Sequence, residues 1–423
     1  MIAIVRAATT HDFLALVPRL VGFAPSESLV CVAFSGNRTC GAMRFDLPRE
    51  AERSFHWRTA TRLVGMLGRL DGVDAVVPVV YTARGFAGRR GTNGGTGMPE
   101  AAFVRAVTDA FRFSGFEVRD ALCVAVDGWG SYFDAGCPAA GRPLELIRAS
   151  TAHESIPAEA RRPLGDIDEW ASIPGADLSS RERVARALAT LEASLPTPAT
   201  DWERNGGDRA VAQRHPASGV CHAARGAAWA ETLLGLPPDD VPDGIAASTI
   251  FLLASERLWE TVAVQWAFGP AVGVPALEEN AAASIAGSSY RPGYRLLLRG
   301  RGPLPDPERI ERGIRLLKVL ASRSPRANRS PVLSMLAWCN WALGRSTVAR
   351  RFVDAALAAQ PALPVAVDLR DLLDRGELPD WAFTRLDRPE HGYAGATEHG
   401  TTIPDDYGEC AHYEEFPRSD GDN

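Results

Sequence analysis

In the N-terminal third of the chain the hydrophobic pattern switches repeatedly between strand and helix periods. Leu29 to Phe34 is an unbroken apolar run, as expected of a strand buried on both faces. Met43, Phe45 and Leu47 then alternate with Arg44 and Asp46, as on a strand with one buried face. Gly36-Asn37-Arg38 supplies the turn between them, so the two strands form a hairpin. Ahead of it, Thr9-x-x-Asp12 is a capping box that opens a short helix, and Pro18 is expected to end or kink that helix near Val17. After Pro48, Ala60, Leu63, Val64, Leu67 and Leu70 recur at helical spacing until Asp71-Gly72 stops the helix. Ala75 to Tyr81 reads as a third strand. Pro78 within it removes a ladder donor and predicts a sheet edge or a bulge there. Pro99 opens the next helix, to about Phe113. Ala121–Val126 and Trp129–Phe133 flank Asp127-Gly128, a two-residue hairpin signal. The order predicts an α/β domain built on a mixed sheet covered by helices.

From Gly136 to Pro174 periodicity is lost and prolines are frequent, which predicts an extended connection. Ser179-x-x-Glu182 reads as a second capping box, followed by Val184, Leu188 and Leu191 on one helical face. Ser194-Leu-Pro-Thr-Pro-Ala-Thr200 reads as a linker. Helical patterns then cover about 208–235, 243–268, 306–322, 331–343, 346–359 and 364–375. The expected organisation is an α/β domain over 1–150, a connector with one helix over 151–200, and an all-α domain of stacked helical hairpins over 201–380. The segment 387–423 has ten acidic residues against two arginines and few aliphatics, so it is expected to be a disordered acidic tail.

Composition narrows the function more than it defines it. Apolar content of 46% and charged content of 23% are those of an ordinary globular protein. A net charge of -6 leaves no basic footprint for nucleic acid. No stretch approaches the about 20 apolar residues of a membrane-spanning helix, and the N-terminus lacks a cleavage-site pattern, so it reads as mature sequence. The seven cysteines are widely spread with no Cys-x-x-Cys, which argues against a disulfide framework and a structural metal site and for the cytoplasm. Lys318 is the only lysine among 46 basic residues. A GC-rich genome accounts for that bias more simply than selection for phosphate binding.

Several segments are candidates for chemistry. Cys137 could act as a thiol nucleophile with His153 as its base, although no oxyanion glycine pattern accompanies them. The alternative for Cys137-Pro-Ala-Ala-Gly-Arg-Pro143 is a rigid turn whose cysteine packs inward. The glycine-rich loop from Arg84 to Gly97, between a strand and a helix, stands where a phosphate cradle would, with Arg84, Arg89 and Arg90 as ligand candidates. It lacks Gly-Lys-Ser/Thr and the compact Gly-x-Gly-x-x-Gly spacing, so a surface loop is the simpler reading. Arg44 and Asp46 share a strand face and could line a site or form a solvated edge pair. Asp127 is assigned to its turn. Cys221-His222 is not metal-spaced, and no metal or other cofactor is expected. The element order is similar to that of deaminase-like domains, but the zinc motifs those enzymes require are missing.

Three segments carry a resemblance: Leu20-Val-Gly-Phe-Ala-Pro-Ser-Glu-Ser-Leu-Val30, the Cys137 to Pro143 segment, and Trp341-x-x-Gly344. On these the chain resembles, over about residues 8–380, a family of uncharacterised actinobacterial proteins, a domain of unknown function with no established site residues. Leu343-Gly344 with Ala349, Val353, Ala356 and Pro361 is also similar to the second half of a tetratricopeptide repeat. The expected function is a non-catalytic intracellular binding or scaffold protein that meets a protein or peptide through its helical domain. The alternative is a hydrolase or nucleotide-dependent enzyme with a site at the edge of the N-terminal sheet.

Overall fold

A computed structural model describes residues 4–48, 53–86, 98–155, 164–165, 167–194, 227–286, 293–383 and 412–414. The chain divides into two compact units, residues 1–166 with 385–423, and residues 167–384. The first is α/β and the second is all helical, as the periodicity predicts.

In the first unit, strands β1 (Ile4–Arg6), β2 (Ser28–Ser35), β3 (Arg38–Asp46), β4 (Ala75–Tyr81), β5 (Glu117–Val118), β6 (Leu122–Val124), β7 (Trp129–Ser131) and β8 (His412–Glu414) form one mixed sheet. Its order is β1-β8-β3-β2-β4-β6-β7, with β5 beside β4. Every residue from Leu29 to Phe34 is at most 2% exposed, so β2 is buried on both faces. Helix α1 (Thr10–Val21) packs Phe13, Leu14, Leu16 and Val17 on one face, against Val30, Val32, Val77 and Val79. Helices α2 (Arg53–Leu67) and α3 (Ala101–Phe113) pack on each other, with His56 and Phe103 edge to face at 5.4 Å, and the short α4 (Glu145–Arg148) follows β7.

The Thr9 box forms: its hydroxyl accepts from the Asp12 amide and the Asp12 carboxylate accepts from the Thr9 amide. Pro18 does not end α1, which runs on to Gly22 in a left-handed cap. Four buried residues ahead of the proline hold the helix in register despite one missing bond. Pro78 is not at an edge either, since β4 lies between β2 and β6. On the far side of β4 from β2 its partners are β5 at Ala75 and Val76 and β6 from Val79 to Tyr81. The missing amide therefore falls opposite the break between two neighbours. The Asp127-Gly128 turn forms, with the Ala125 amide donating to the Gly128 carbonyl at 2.8 Å. Of the acidic tail only β8 is described, as a strand parallel to β1 in the register Ile4↔His412.

The second unit contains α5 (Ile167–Ala171), α6 (Leu178–Ala193), α7 (Ala227–Leu234), α8 (Asp243–Leu253), α9 (Glu256–Phe268), α10 (Pro270–Ala286), α11 (Arg295–Leu298), α12 (Pro307–Arg323), α13 (Ser330–Ala342), α14 (Ser346–Ala359) and α15 (Pro364–Asp374). Asp177, not Ser179, caps α6, its carboxylate accepting from the Ser180 amide. Val184 and Leu188 of α6 join the helical core. The stretch expected as one helix over 243–268 breaks at Ser255, which is extended. The α10 helix, interrupted in sequence by Pro275, was not expected. Helices α13 and α14 form a close hairpin, with Ala349 and Ala356 fully buried and the Ser330 hydroxyl donating to the Ala356 carbonyl at 3.0 Å.

Candidate functional site

The sequence-derived candidates fall in separate places of the first unit. Arg44 and Asp46 pair with each other on β3 at 2.6 Å, with Asp46 largely exposed. Strands β2, β4 and β6 stand between them and β7. Cys137 packs against β7: a Cβ built on Gly130 would stand 2.5 Å from its Sγ, beside Met98 and Phe86. Trp129, the preceding residue of that strand, points to the α1 face, so Cys137 is on the opposite one. His153 belongs to the turn Ala152–Ser155, which packs on α1, and its side chain lies outside the described residues. The sheet thus separates the thiol from the turn that carries the proposed base. Burial pushes the Cys137 thiol up, with Arg142 working against it and Asp134 reinforcing it. Burial also pushes the neighbouring Cys123 thiol up, to about 12. Both stay protonated near neutrality, which disfavours nucleophilic attack.

The loop after β4 is anchored by carboxylates. The Ala83 amide donates to Glu27 Oε1 at 2.5 Å, the Phe86 amide to Asp127 Oδ1 at 2.9 Å, and the Arg84 amide to Thr82 Oγ1 at 3.2 Å. Arg84 pairs with Glu100 at 3.0 Å. Arg89 and Arg90 lie outside the described residues. These three strand-end amides are taken, and the rest of the loop, residues 87–97, lies outside the described residues. Asp127 therefore does more than turn the chain. Sequence reasoning missed this role, as well as Glu27 and Glu100, the two non-glycine residues with positive φ (42° and 56°) among those described. Gly85 was the available signal, because a Cβ there would stand 2.5 Å from the Asp127 carboxylate.

The larger opening lies in the second unit, a cleft of about 640 Å3 between α9, α11, α13 and α15. Trp259 and Trp338 form its floor, their indole N–H groups donating to the carbonyls of Pro331 at 3.0 Å and Leu298 at 2.9 Å. Glu260 is buried beside them. It accepts from the Tyr294 hydroxyl at 3.0 Å and from Arg295 Nε at 3.1 Å, and Arg295 Nη2 reaches its other oxygen at 2.9 Å and Glu256 at 3.3 Å. Burial lifts the Glu260 carboxyl above the ordinary range, and Arg295 only partly offsets this. The fork fixes the α11 backbone on the cleft wall. On the opposite wall Asp368 and Asp371 are exposed, three residues apart on one face of α15. Neither makes an ion pair or a side-chain hydrogen bond among the described residues. Five carboxylates and three guanidinium groups line the cleft, so it is net acidic.

No group of three or more histidine, cysteine, aspartate or glutamate side chains suited to a metal ion occurs among the described residues. Among them, too, no helix is long and apolar enough to cross a membrane. The model of a family described as a domain of unknown function, DUF4192, matches residues 11–299 and 304–380, so the chain belongs to that family. Neither the curated proteins nor the solved structures include a significant match.

Proposed function

We propose that this member of the DUF4192 family is a non-catalytic cytoplasmic binding or scaffold protein of actinobacterial origin, and that its helical cleft takes a cationic peptide segment of a protein partner. The observation that carries the reading is the cleft: a rigid floor of hydrogen-bonded tryptophans, a braced acid on one wall, and on the other two exposed carboxylates that form no direct ion pair and share only the field of Arg375. Stacked helical hairpins of this kind present extended surfaces suited to peptide recognition. Protonated thiols and occupied strand-end amides in the first unit support a non-catalytic role. Five free cysteines among the described residues fit a reducing compartment. The arginine-rich, lysine-poor composition agrees with an actinobacterial source.

The test is fluorescence anisotropy on the full chain with labelled nonapeptides, one arginine-rich and one glutamate-rich. The arginine-rich peptide is expected to bind and the acidic one not to. Asp368→Asn with Asp371→Asn should weaken binding about three- to tenfold and flatten its salt dependence. Equal binding of both peptides, or of the double variant, defeats the reading.

A further inference from the structure

The helical cleft combines its acidity with an apolar strip. On one wall Val365, Asp368, Leu369, Leu372 and Arg375 recur at helical spacing along a single face of α15. On the other, Leu296 of α11 lies next to the Arg295 fork and is 56% exposed. Leu298 and Val365, both half-buried, continue the strip from Leu296 toward Leu369 at the base. Carboxylates stand on both walls, Glu256 and Glu260 on one and Asp368 and Asp371 on the other.

The backbone of these walls is already engaged. The carbonyls of Leu296 and Leu297 accept from the Arg299 and Gly300 amides, and that of Leu298 from the Trp338 indole. On the α15 side the Asp371 and Leu372 carbonyls accept from the Arg375 and Glu377 amides, and the Glu377 carbonyl from the Trp341 indole. The lining comes from helices and their ends, with no sheet edge among them. An extended peptide laid here would bury its amides and carbonyls against walls that offer it side chains alone. A helix brings its backbone bonds with it and needs only side-chain contacts. At about 1.5 Å per residue, the α15 face from Val365 to Arg375 is about 15 Å long, which matches about three turns of a second helix.

Resting on the reading of this cleft as a peptide site, we propose that its occupant is an amphipathic helix of a partner protein, with leucine-like side chains on the face that meets Leu296 and Val365 and with arginines or lysines bordering that face, toward Asp368 and Asp371. An isolated helix of about three turns is marginal in water, so the segment orders as it binds.

The probes are two labelled peptides of about fourteen residues and identical composition. In one, leucines at i, i+3, i+4 and i+7 are bordered by arginines; in the other the same residues are shuffled so that no helical face is apolar. Anisotropy with the full-length protein is expected to show the patterned peptide binding at least about tenfold more tightly than its isomer. Circular dichroism should show helix gained on binding. A proline at the centre of the patterned peptide should reduce it to the isomer's affinity. Leu296→Ser should weaken the patterned peptide about three- to tenfold, with the isomer's affinity and the melting temperature of the protein nearly unchanged. Equal affinities for the two isomers, an undiminished proline variant, an unaffected Leu296→Ser protein, or binding without a gain of helix each overturns the helical occupant, while the cationic-peptide reading stands or falls on the Asp368 and Asp371 variant. If neither isomer binds, both readings fall.

Discussion

The two units satisfy buried polar atoms by different means. In the helical unit all five buried tryptophans donate their indole N–H to a carbonyl far away in sequence: Trp259 to Pro331, Trp266 to Ala230, Trp338 to Leu298, Trp341 to Glu377 and Trp381 to Ala342. Each bond ties one helix to a distant segment while the ring fills the core. The sheet unit uses the same device at one buried tryptophan, Trp129, which donates to the Pro143 carbonyl at 3.0 Å, but it relies more on backbone ladders and on carboxylates that cap turn amides, and it leaves the hydroxyls of Tyr81 and Ser28 unmatched. The helical unit leaves buried atoms unmatched as well, Arg329 Nε among them. Side chains that both pack and bond make a cooperative core. Ladders supplemented by single carboxylates localise each loss.

The contrast is most easily broken at Trp341. Trp341→Ala empties a fully buried site and strands the Glu377 carbonyl, and should cost about 3–5 kcal/mol by urea denaturation. A loss below about 1 kcal/mol would mean that the tryptophans are not what binds the helices together.

Next comes the α13–α14 contact. Ala356→Leu should overpack it and cost about 1–3 kcal/mol, whereas Arg350→Leu should stay within about 0.5 kcal/mol. Arg350 meets only an exposed ion pair with Asp374, at 2.6 Å. The reverse order of melting temperatures would mean that α14 is rotated.

In the sheet unit, Asp127→Ala frees the Phe86 amide and should cost about 1–2 kcal/mol. Asp127→Asn keeps an acceptor oxygen and should cost less than about 0.5 kcal/mol in a chemical melt. If the two variants melt alike, the carboxylate does not anchor the loop.

The pH dependence sharpens the helical side. Burial alone would raise the Glu231 carboxyl, but hydrogen bonds from Arg309 and Gln265 and the Arg309 charge outweigh it, and the group lies below its usual 4.5. A depressed folded pKa gives stability that is present above the unfolded value and is lost as pH falls through the folded one. Glu231→Gln should therefore show a shallower loss of urea midpoint below about pH 4.5 than the parent. A steeper loss would reverse the sign. The smallest effect is expected at Tyr81. Tyr81→Phe should change stability by less than about 0.5 kcal/mol or raise it slightly, since the hydroxyl it removes has no partner. A loss above about 1 kcal/mol would reveal a bond that this geometry lacks.

The fold class was legible because its signals were local and strong. The unbroken run from Leu29 to Phe34, the Asp127-Gly128 turn and the Thr9 capping box all carry their physics in a few neighbouring residues. The errors came where tertiary context overrode a local rule. Pro18 continues a helix held by its buried side, and Pro78 sits mid-sheet because its neighbour strand is broken there. Ser255 breaks a helix without glycine or proline, so periodicity had nothing to register. The site was much less legible. Cys137 and His153 look like a pair in sequence, but strand alternation sets them on opposite faces. The cleft draws on residues from Glu256 to Glu377, and no local motif announces a surface assembled from four helices.

The braced strand end has a consequence for engineering. Phe86 is fastened through Asp127, Arg84 is paired with Glu100, and the Tyr132 hydroxyl donates to the Pro99 carbonyl at 2.6 Å. The two stems that flank residues 87–97 are thus joined to each other and to the sheet independently of what the chain does between them. Closing a longer loop over fixed stems costs only a little more with each added residue. This makes the segment between Phe86 and Met98 the natural place to graft a reporter peptide or a second domain while leaving the rest of the protein undisturbed.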